Sequence, residues 1–365
     1  MKVIAQTAAL QEALTLAGSI VATRTPKPVL QCVKLIAANK MLTMLATDLE
    51  VGCRYQIAAV QVDEEGEALV PADRLSGIVH TSTDESLTLQ TEKEACVIRG
   101  AGSRFKIFGY DPGEYPAVAE FVEKGDFQIP AAALSKMIGK TLFATAKAHS
   151  HYAISGVLWE AGGKKLQLVA TDGHRLAQAK GTLPKGAAGD VTAIVPGKLM
   201  GLIQRVAGTS EEMLEVKVLE NQILLRTARA VLVSSLVQGN FPKYADVIPK
   251  ECTRKATINA AQFEHRVRQA ALLTNEESRG VKLSFAADKV TLSSRAPETG
   301  EAEVTCPATL EGEPIDMGFN PAFLTDALRV AEVEEIIFEM NAPNKPAVLK
   351  AGSDFLYVLM PVDLS

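Results

Sequence analysis

Three versions of one segment decide the fold of this chain: VPADRLSGIV at residues 70–79, VPGKLMGLIQRV at 195–206 and FNPAFLTDALRV at 319–330. Each version places a proline or an asparagine where a helix would begin, and apolar residues follow at helical spacing. The three segments start at nearly equal intervals along the 365 residues. An internal repeat of this kind predicts three copies of one structural unit.

A second repeated segment precedes each of these. It reads KVIAQTAALQEALTLAG at 2–18, FQIPAAALSKMIGKTLFAT at 127–145 and ATINAAQFEHRVRQAALLT at 256–274. Each copy begins with a short alternating stretch and continues with a helical pattern. Alternating runs rich in Val, Ile and Leu lie between the helices and predict strands, such as KLQLVAT and EIIFEM. We therefore predict an α+β fold of three similar domains, at 1–124, 125–250 and 251–365, each with two helices packed on antiparallel sheets.

The composition predicts a soluble protein of the cytoplasm. Hydrophobic residues make up 47% of the chain and charged residues 22%, and no run approaches the roughly 18 consecutive apolar residues of a membrane span. The N-terminus lacks the pattern of a signal peptide. The five cysteines are scattered without metal-ligand spacing, which predicts reduced thiols, no metal and no cofactor. They are Cys32, Cys53, Cys96, Cys252 and Cys306.

The charge is distributed unevenly, although the formal net charge is −5. Only the middle repeat has an excess of basic residues, 15 against 9 acidic ones. At 100° per residue, Lys136, Lys140 and Lys147 fall on one face of its first helix, and Lys198 and Arg205 share a face of the second. Such stripes are typical of solvated helix faces, but their occurrence on both helices of one repeat favours a surface that faces phosphates.

Several motifs, in order along the chain, resemble one known family. The most specific are VATDGHRLA at 169–177, NFPKY at 240–244 followed by VIP at 247–249, and the tail YVLMPV at 357–362. Others are Arg24 before a proline-rich turn, TDLE at 47–50, SRF at 103–105, NE at 275–276, RGV at 279–281 and GFN at 318–320. Together they resemble the bacterial DNA polymerase III beta subunit family, the DNA sliding clamps.

This resemblance implies a processivity factor without enzymatic activity. It implies a head-to-tail homodimeric ring that encircles duplex DNA without sequence preference, with helices lining the hole. Polymerase subunits and the clamp loader would attach through short linear peptides, in a pocket between the second and third domains. The Asp-Gly turn in TDGHR would display His174 and Arg175.

The resemblance and the charge pattern together predict three sets of site residues. The partner-peptide set is Ile154, Thr171, Gly173, His174, Arg175, Leu176, Pro242, Val247, Asn320, Phe323, Val358, Met360, Pro361 and Val362. The DNA-binding set is Arg24, Lys136, Lys140, Lys147, Lys198 and Arg205. The dimer-interface set is Arg74, Arg104, Phe105 and Ile107 on one side, with Leu272, Leu273, Glu298, Glu301 and Glu303 on the acidic side.

Two alternatives remain open at the level of the sequence. Asp172, His174 and Arg175 could form a catalytic cluster, with His149 and His151 as metal ligands or bases, although a catalytic metal usually needs three protein ligands. The chain could also be a clamp-fold scaffold for other proteins that never encircles DNA. Three positions depart from the family pattern: Ser155, Gly197 and Asp363.

Overall fold

The computed structural model describes residues 1–57, 60–146, 152–207, 211–274, 280–296 and 300–363. The chain forms two compact units. Unit 1 contains Met1–Ser135 and Lys198–Leu236, and unit 2 contains Lys136–Gly197 and Val237–Ser365. This division differs from that into three predicted domains, because each unit contains a sheet whose strands come from two neighbouring predicted domains.

The described residues contain six α-helices, which begin close to the predicted starts. In the first, Leu10, Leu14 and Ala17 are buried at helical spacing, so one face packs against the sheets. In the last, the side chain of Asn320 accepts a hydrogen bond from the backbone N–H of Ala322, at 2.9 Å. The helices are α1 Thr7–Gly18, α2 Ala72–Thr81, α3 Ala131–Gly139, α4 Gly197–Ala207, α5 Ala260–Ala271 and α6 Pro321–Arg329.

The strands are short and pair only in antiparallel fashion in the described residues. In the first half of the chain they are β1 Lys2–Gln6, β2 Cys32–Ala38, β3 Met41–Thr47, β4 Val51–Ile57, β5 Val60–Glu64, β6 Gly66–Pro71, β7 Ser86–Glu92, β8 Ala95–Arg99, β9 Arg104–Phe108, β10 Phe127–Pro130, β11 Gly156–Gly162 and β12 Lys165–Thr171. In the second half they are β13 Arg175–Thr182, β14 Val191–Pro196, β15 Met213–Val218, β16 Gln222–Arg226, β17 Ala230–Ser235, β18 Arg254–Asn259, β19 Val281–Phe285, β20 Lys289–Ala296, β21 Gly300–Glu311, β22 Ile315–Phe319, β23 Glu335–Met340, β24 Ala347–Ala351 and β25 Phe355–Leu359.

Unit 1 contains two sheets. The smaller has the strand order β5-β1-β7-β8-β9, and the larger has the order β10-β15-β16-β17-β4-β3-β2-β6. In the larger sheet β17 pairs with β4, so that Val233 lies opposite Gly52. This pairing joins a strand of the second predicted domain to a strand of the first.

Unit 2 contains one sheet of twelve strands in the order β14-β11-β12-β13-β25-β24-β23-β18-β21-β20-β19-β22. Here β13 pairs with β25, and Leu176 lies opposite Val358. The ring of Phe338 is surrounded by the rings of Phe263, Phe285 and Phe319, at centroid distances of 6.5, 5.5 and 5.6 Å. These aromatic contacts fill the space between the helices and the sheet.

The fold confirms the predicted α+β class. Short alternating runs form antiparallel strands, and two helices belong to each predicted repeat. In the part of the chain that the structure describes, no helix is long and apolar enough to cross a membrane.

The five cysteines are free thiols, and four of them are buried. Burial raises the pKa of Cys53 to about 12, and the pKa values of Cys32 and Cys96 to about 11, with desolvation as the largest cause. The thiol form therefore dominates at neutral pH, and these side chains behave as small apolar groups.

Candidate functional site: a turn, an apolar cluster and a tail in unit 2

A tight turn at residues 171–175 links β12 to β13. The carboxylate of Asp172 accepts hydrogen bonds from the backbone N–H groups of His174 and Arg175, at 3.0 and 3.1 Å. The hydroxyl of Thr171 donates to the carbonyl of Arg175 at 2.7 Å and accepts from the N–H of Gly173. Gly173 has φ +90°, which a glycine adopts without strain. The turn exposes His174, whereas Thr171 and Leu176 on either side are buried.

The expectation that the same turn displays Arg175 is wrong, because its guanidinium group lies inside unit 2. It donates to Asp172 at 2.9 Å, to Asp326 at 2.7 Å and to the carbonyl of Phe143 at 2.8 Å. The side chain is only 10% exposed. Its charged carbon lies 4.3 Å from the ring centroid of Phe323 and 5.4 Å from that of Phe143, in cation–π geometry. Arg175 therefore holds the turn against α6.

The pKa of Arg175 reflects this environment. Burial alone lowers the pKa, but the nearby hydroxyl of Tyr357 and the carboxylates of Asp326 and Asp172 outweigh burial and raise it above the usual value. The guanidinium group is therefore charged near neutral pH, where it pairs with both carboxylates.

An apolar cluster lies beside the turn. Leu176 and Val358, paired across β13 and β25, are 3% and 2% exposed and form its floor. Around them the cluster contains other buried residues: Ala153, Leu158, Val169, Ile194 and Val348. Half-buried residues pack against it: Val237, Phe241, Tyr244, Ile248 and Leu356.

Three of the residues predicted to contact the peptide lie at the surface of unit 2. Val247 is 48% exposed and Met360 is 41% exposed, and Pro242 is exposed as well. Ile154 is half-buried in a short 3-10 helix. The sequence motif included Phe241 and Tyr244, but the sequence analysis did not predict that they pack against the cluster. The sequence of a proline-containing loop does not indicate which surface its aromatic side chains cover.

The tail after β25 crosses from the turn to β22. The N–H of Met360 donates to the carbonyl of His174 at 3.0 Å, and the N–H of Val362 donates to the carbonyl of Gly318 at 2.9 Å. A cavity of about 470 Å³ lies along residues 360–363, with Met317, Pro343 and the Lys282–Asp316 ion pair on its other walls. Its volume falls within the range of small-ligand sites. Asn320 does not face this cavity, because it caps α6.

The predicted DNA-binding residues are only partly where the sequence placed them. Lys198 and Arg205 lie on α4, and each contacts a neighbour within unit 1: Lys198 pairs with Asp48, and Arg205 hydrogen-bonds to the hydroxyl of Ser19. Burial raises the pKa of Asp48, but hydrogen bonds from Lys198 and from two backbone N–H groups outweigh this and lower it. The ion pair therefore persists at neutral pH, although 41% of the Lys198 side chain is exposed.

The expectation that Lys140 lies on an exposed helical stripe is wrong. The backbone N–H of Lys140 donates to the carbonyl of Lys136 at 3.0 Å, so Lys140 continues the last turn of α3. Its ammonium group pairs with Asp354 at 2.7 Å, and its side chain is only 10% exposed. Lys136 is 67% exposed and lies 3.6 Å from Glu332. Arg24 is exposed, and Lys147, like His149 and His151, lies outside the described residues.

The predicted dimer interface involves two strand edges. Strand β9 is the last strand of the smaller sheet of unit 1, and one of its edges pairs with no other described strand. Arg104 and Phe105 are exposed there, and Arg74 on α2 is exposed too. Ile107, two residues further along the same face as Phe105, is only 8% exposed, and its role as an interface contact stays a prediction. Phe108, which is 76% exposed, was missed.

The second edge belongs to β21. Its residues 308–311 pair with β18, whereas residues 300–307 pair with β20 alone among the described strands. Glu301 and Glu303 are exposed along this part. Leu272, just after α5, is 79% exposed, and Leu273 is half-buried. Glu298 lies outside the described residues.

The alternative of a catalytic cluster involves two residues that have structural contacts. Asp172 and Arg175 hydrogen-bond to each other, and both fix the turn. Within the described ranges, no group of three or more His, Cys, Asp and Glu side chains could hold a metal ion.

This combination of repeated helices, antiparallel sheets and tail is that of a DNA polymerase sliding clamp. The fold matches the crystal structure of the DNA polymerase sliding clamp from Bacillus subtilis over 100% of both chains, with a TM-score of 0.96 and 26% identity. It also matches the DNA polymerase III subunit beta from Pseudomonas aeruginosa over 100% of both chains, with a TM-score of 0.95 and 29% identity.

The sequence comparisons agree with the fold. The chain is 31% identical to the beta sliding clamp of Caulobacter vibrioides, over 99% of this chain and 100% of that protein. It is 30% identical to the beta sliding clamp of Pseudomonas putida, over 98% and 99% of the two chains. Models of the N-terminal, central and C-terminal domains of the DNA polymerase III beta subunit match residues 1–119, 128–243 and 245–363. The chain therefore belongs to the DNA polymerase III beta subunit family, which confirms the resemblance found in its motifs.

Proposed function

We propose that this chain is a DNA sliding clamp that encircles duplex DNA as a head-to-tail homodimer. It would tether replicative and repair polymerases to DNA through the apolar cluster and tail of unit 2. The main support is the match to sliding clamps over the whole chain in both sequence and fold. We propose that the chain has no catalytic activity and no cofactor, and that it consists of three clamp domains. We also propose that it acts in the cytoplasm at the nucleoid, where its DNA would be.

The proposed peptide site combines an exposed turn, an apolar floor and a tail. His174 and Met360 would contact the peptide backbone and flank a slot above Leu176 and Val358, with Val247 on a third side. A leucine or phenylalanine of the peptide would cover the exposed apolar groups. Because one large apolar side chain contributes roughly 2 kcal/mol on burial, a short peptide would bind only in the micromolar range.

The proposed ring closes through the two unpaired strand edges. Pairing of β9 in one copy with residues 300–307 of β21 in its partner would satisfy the free backbone groups of both edges. Arg104 and Lys106 lie on the first edge, and Glu301 and Glu303 lie on the second. Opposite charges would fix the register, while exposed apolar residues would supply most of the affinity.

Light scattering at micromolar concentration is expected to report about twice the chain mass of 39.0 kDa. Replacing Phe105 and Phe108 together by glutamate should raise the dimer dissociation constant at least about 100-fold, because two apolar side chains of roughly 2 kcal/mol each are lost. Val122→Glu is the matched control, since Val122 is 82% exposed and lies outside the strand edge. A wild-type monomer at all accessible concentrations would rule out the ring.

Retention on DNA should depend on topology rather than on contacts alone. A loaded wild-type clamp should remain on a closed circular duplex and leave once the circle is cut. Lys198→Glu with Arg205→Glu should lower the loading rate roughly tenfold, because phosphate attraction becomes repulsion. The double variant with Lys164→Glu and Lys165→Glu makes the same charge change at two exposed positions between β11 and β12. This variant should load normally. Tight, sequence-specific binding to short linear duplex would contradict the proposal and favour a different DNA-binding role.

A further inference from the structure

The turn of the proposed peptide site has a close structural counterpart in unit 1. At residues 47–51, between β3 and β4, Asp48 accepts hydrogen bonds from two backbone N–H groups, at 3.0 and 2.8 Å. Thr47 donates to the carbonyl of Val51 at 2.9 Å and accepts from the N–H of Leu49. These are the bonds that Asp172 and Thr171 make. Leu49 even adopts φ +80°, close to the +90° of Gly173, although it is not a glycine.

The strands that flank the two turns also correspond. In unit 2, Leu176 faces Val358; in unit 1, Gly52 faces Val233. At the end of the second strand, the backbone makes the same hydrogen bond to the turn in both units. The N–H of Ser235 donates to the carbonyl of Glu50 at 2.9 Å, as that of Met360 donates to the carbonyl of His174 at 3.0 Å. Unit 1 therefore contains a second copy of the surface on which the peptide slot is built.

The apolar residues behind the two surfaces match as well. Leu45, Leu69, Leu224 and Val233 form a buried cluster in unit 1. Val169, Ile194, Val348 and Val358 occupy the same strand positions in the cluster of unit 2. Each cluster also contacts a tyrosine near the end of a predicted domain. This residue is Tyr115 in unit 1 and Tyr244 in unit 2.

The two copies differ at one pair of positions. The sequence Tyr-x-x-Val occurs in both, ending at Val118 and at Val247. Val118 is 6% exposed, whereas Val247 is 48% exposed. A Cβ atom added to Gly52 would lie 3.0 Å from a methyl group of Val118. Val118 therefore fills the space that the side chain of Leu176 takes in unit 2.

The segment around Val118 is fixed in this position. Tyr115 accepts a hydrogen bond from the N–H of Thr47 at 3.0 Å and donates to the carbonyl of Cys32 at 3.2 Å. Arg54 donates to the carbonyl of Val118 at 3.2 Å and pairs with Glu120 at 2.6 Å. An apolar side chain in the groove, with its backbone held by polar neighbours, is the arrangement expected of a bound peptide.

We propose that unit 1 carries a second, latent slot for the same class of short apolar peptide, and that the chain's own residues 115–121 occupy it with Val118 as the anchor. This inference rests on the proposed peptide site of unit 2. It explains why one copy of the surface is open and the other is closed. The absence of a side chain at Gly52 admits Val118, and the presence of Leu176 excludes Val247.

The test counts peptides bound per chain by titration calorimetry, with a short synthetic peptide that contains one glutamine and a leucine–phenylalanine pair. The wild type should bind one peptide, and deletion of residues 360–365 should leave none. Val118→Ala should bind two, and Val118→Ala combined with the deletion should bind one. If the deletion alone leaves one peptide, the proposed function of the tail fails. If Val118→Ala adds no peptide in a folded chain, the latent slot is disproved.

A reciprocal experiment in unit 2 covers the case in which Val118→Ala does not fold. Leu176→Gly should let Val247 enter the slot and lower peptide affinity at least tenfold. Leu176→Gly with Val247→Ala should then regain part of that affinity, because the entering side chain has been shortened. If the shortening of Val247 lowers affinity further, Leu176 and Val247 are merely two independent contacts, and the inference is overturned.

Discussion

Deletion of residues 360–365 is expected to abolish measurable peptide binding while the chain stays folded. The tail supplies Met360 at the slot and a wall of the neighbouring cavity. Loss of one large apolar contact of roughly 2 kcal/mol corresponds to a decrease in affinity of about 30-fold. Since the peptide binds only in the micromolar range at best, this decrease removes binding at practical concentrations.

The fold should tolerate the deletion because β25 ends at Leu359, before the deleted residues. The tail contributes two backbone hydrogen bonds, from Met360 and Val362, and half-buried rather than core side chains. Calorimetry with the synthetic peptide measures the effect, and circular dichroism verifies the fold. Met360→Ala alone is the intermediate case and should lower affinity about tenfold. Unchanged affinity in the truncated chain would place the partner site elsewhere.

Replacement of Arg175 by methionine should destabilise unit 2 by about 3 kcal/mol. The substitution removes the partner of Asp172 and Asp326, whose side chains are 18% and 30% exposed. An incompletely solvated carboxylate without its partner is costly, which is why removal of one member of a buried ion pair typically destabilises by 3–5 kcal/mol. The lower end applies here because Asp326 retains some contact with water.

The measurement is urea unfolding followed by the fluorescence of Trp159, the one tryptophan of the chain, which is buried in β11 of unit 2. Arg329→Met is the control, because Arg329 is an exposed arginine on the same α6 helix and its loss should change stability by less than about 0.5 kcal/mol. Adding Asp172→Asn and Asp326→Asn to Arg175→Met should recover part of the loss. Equal free energies of unfolding for Arg175→Met and Arg329→Met would mean that the ion pairs of Arg175 contribute nothing to stability.

The sequence predicted the elements of the fold well because periodicity reports local structure. The alternation in KLQLVAT became β12, and the segment after Asn320 became α6. Strand order is different: nothing in the runs that became β4 and β17 indicates that they pair with each other. Tertiary packing determines which strands pair in a sheet. The boundaries predicted from the repeat, after residues 124 and 250, therefore fall inside the two units of contact.

The candidate site was predicted in part, and its errors have a common cause. Lys140 and Arg175 were expected at the surface, but Lys140 is buried and the side chain of Arg175 is only 10% exposed. The partner of Lys140, Asp354, is distant in the sequence, and so are the partners of Arg175, Asp326 and Phe143. Burial of a charged side chain depends on such distant partners, so a local pattern cannot predict it.

In the proposed ring, the unequal strand edges β9 and β21 would determine what an assembly of many copies looks like. A contact between two different surfaces is heterologous, and after each addition the next copy finds the same free edge. Such growth ends only if the rotation from one copy to the next divides a full turn; any other angle produces a helical filament. In the proposed ring that rotation is half a turn, so two copies close it. A substitution that changes the rotation, however far from either edge, would therefore convert the closed ring into a polymer without altering a single residue of the contact.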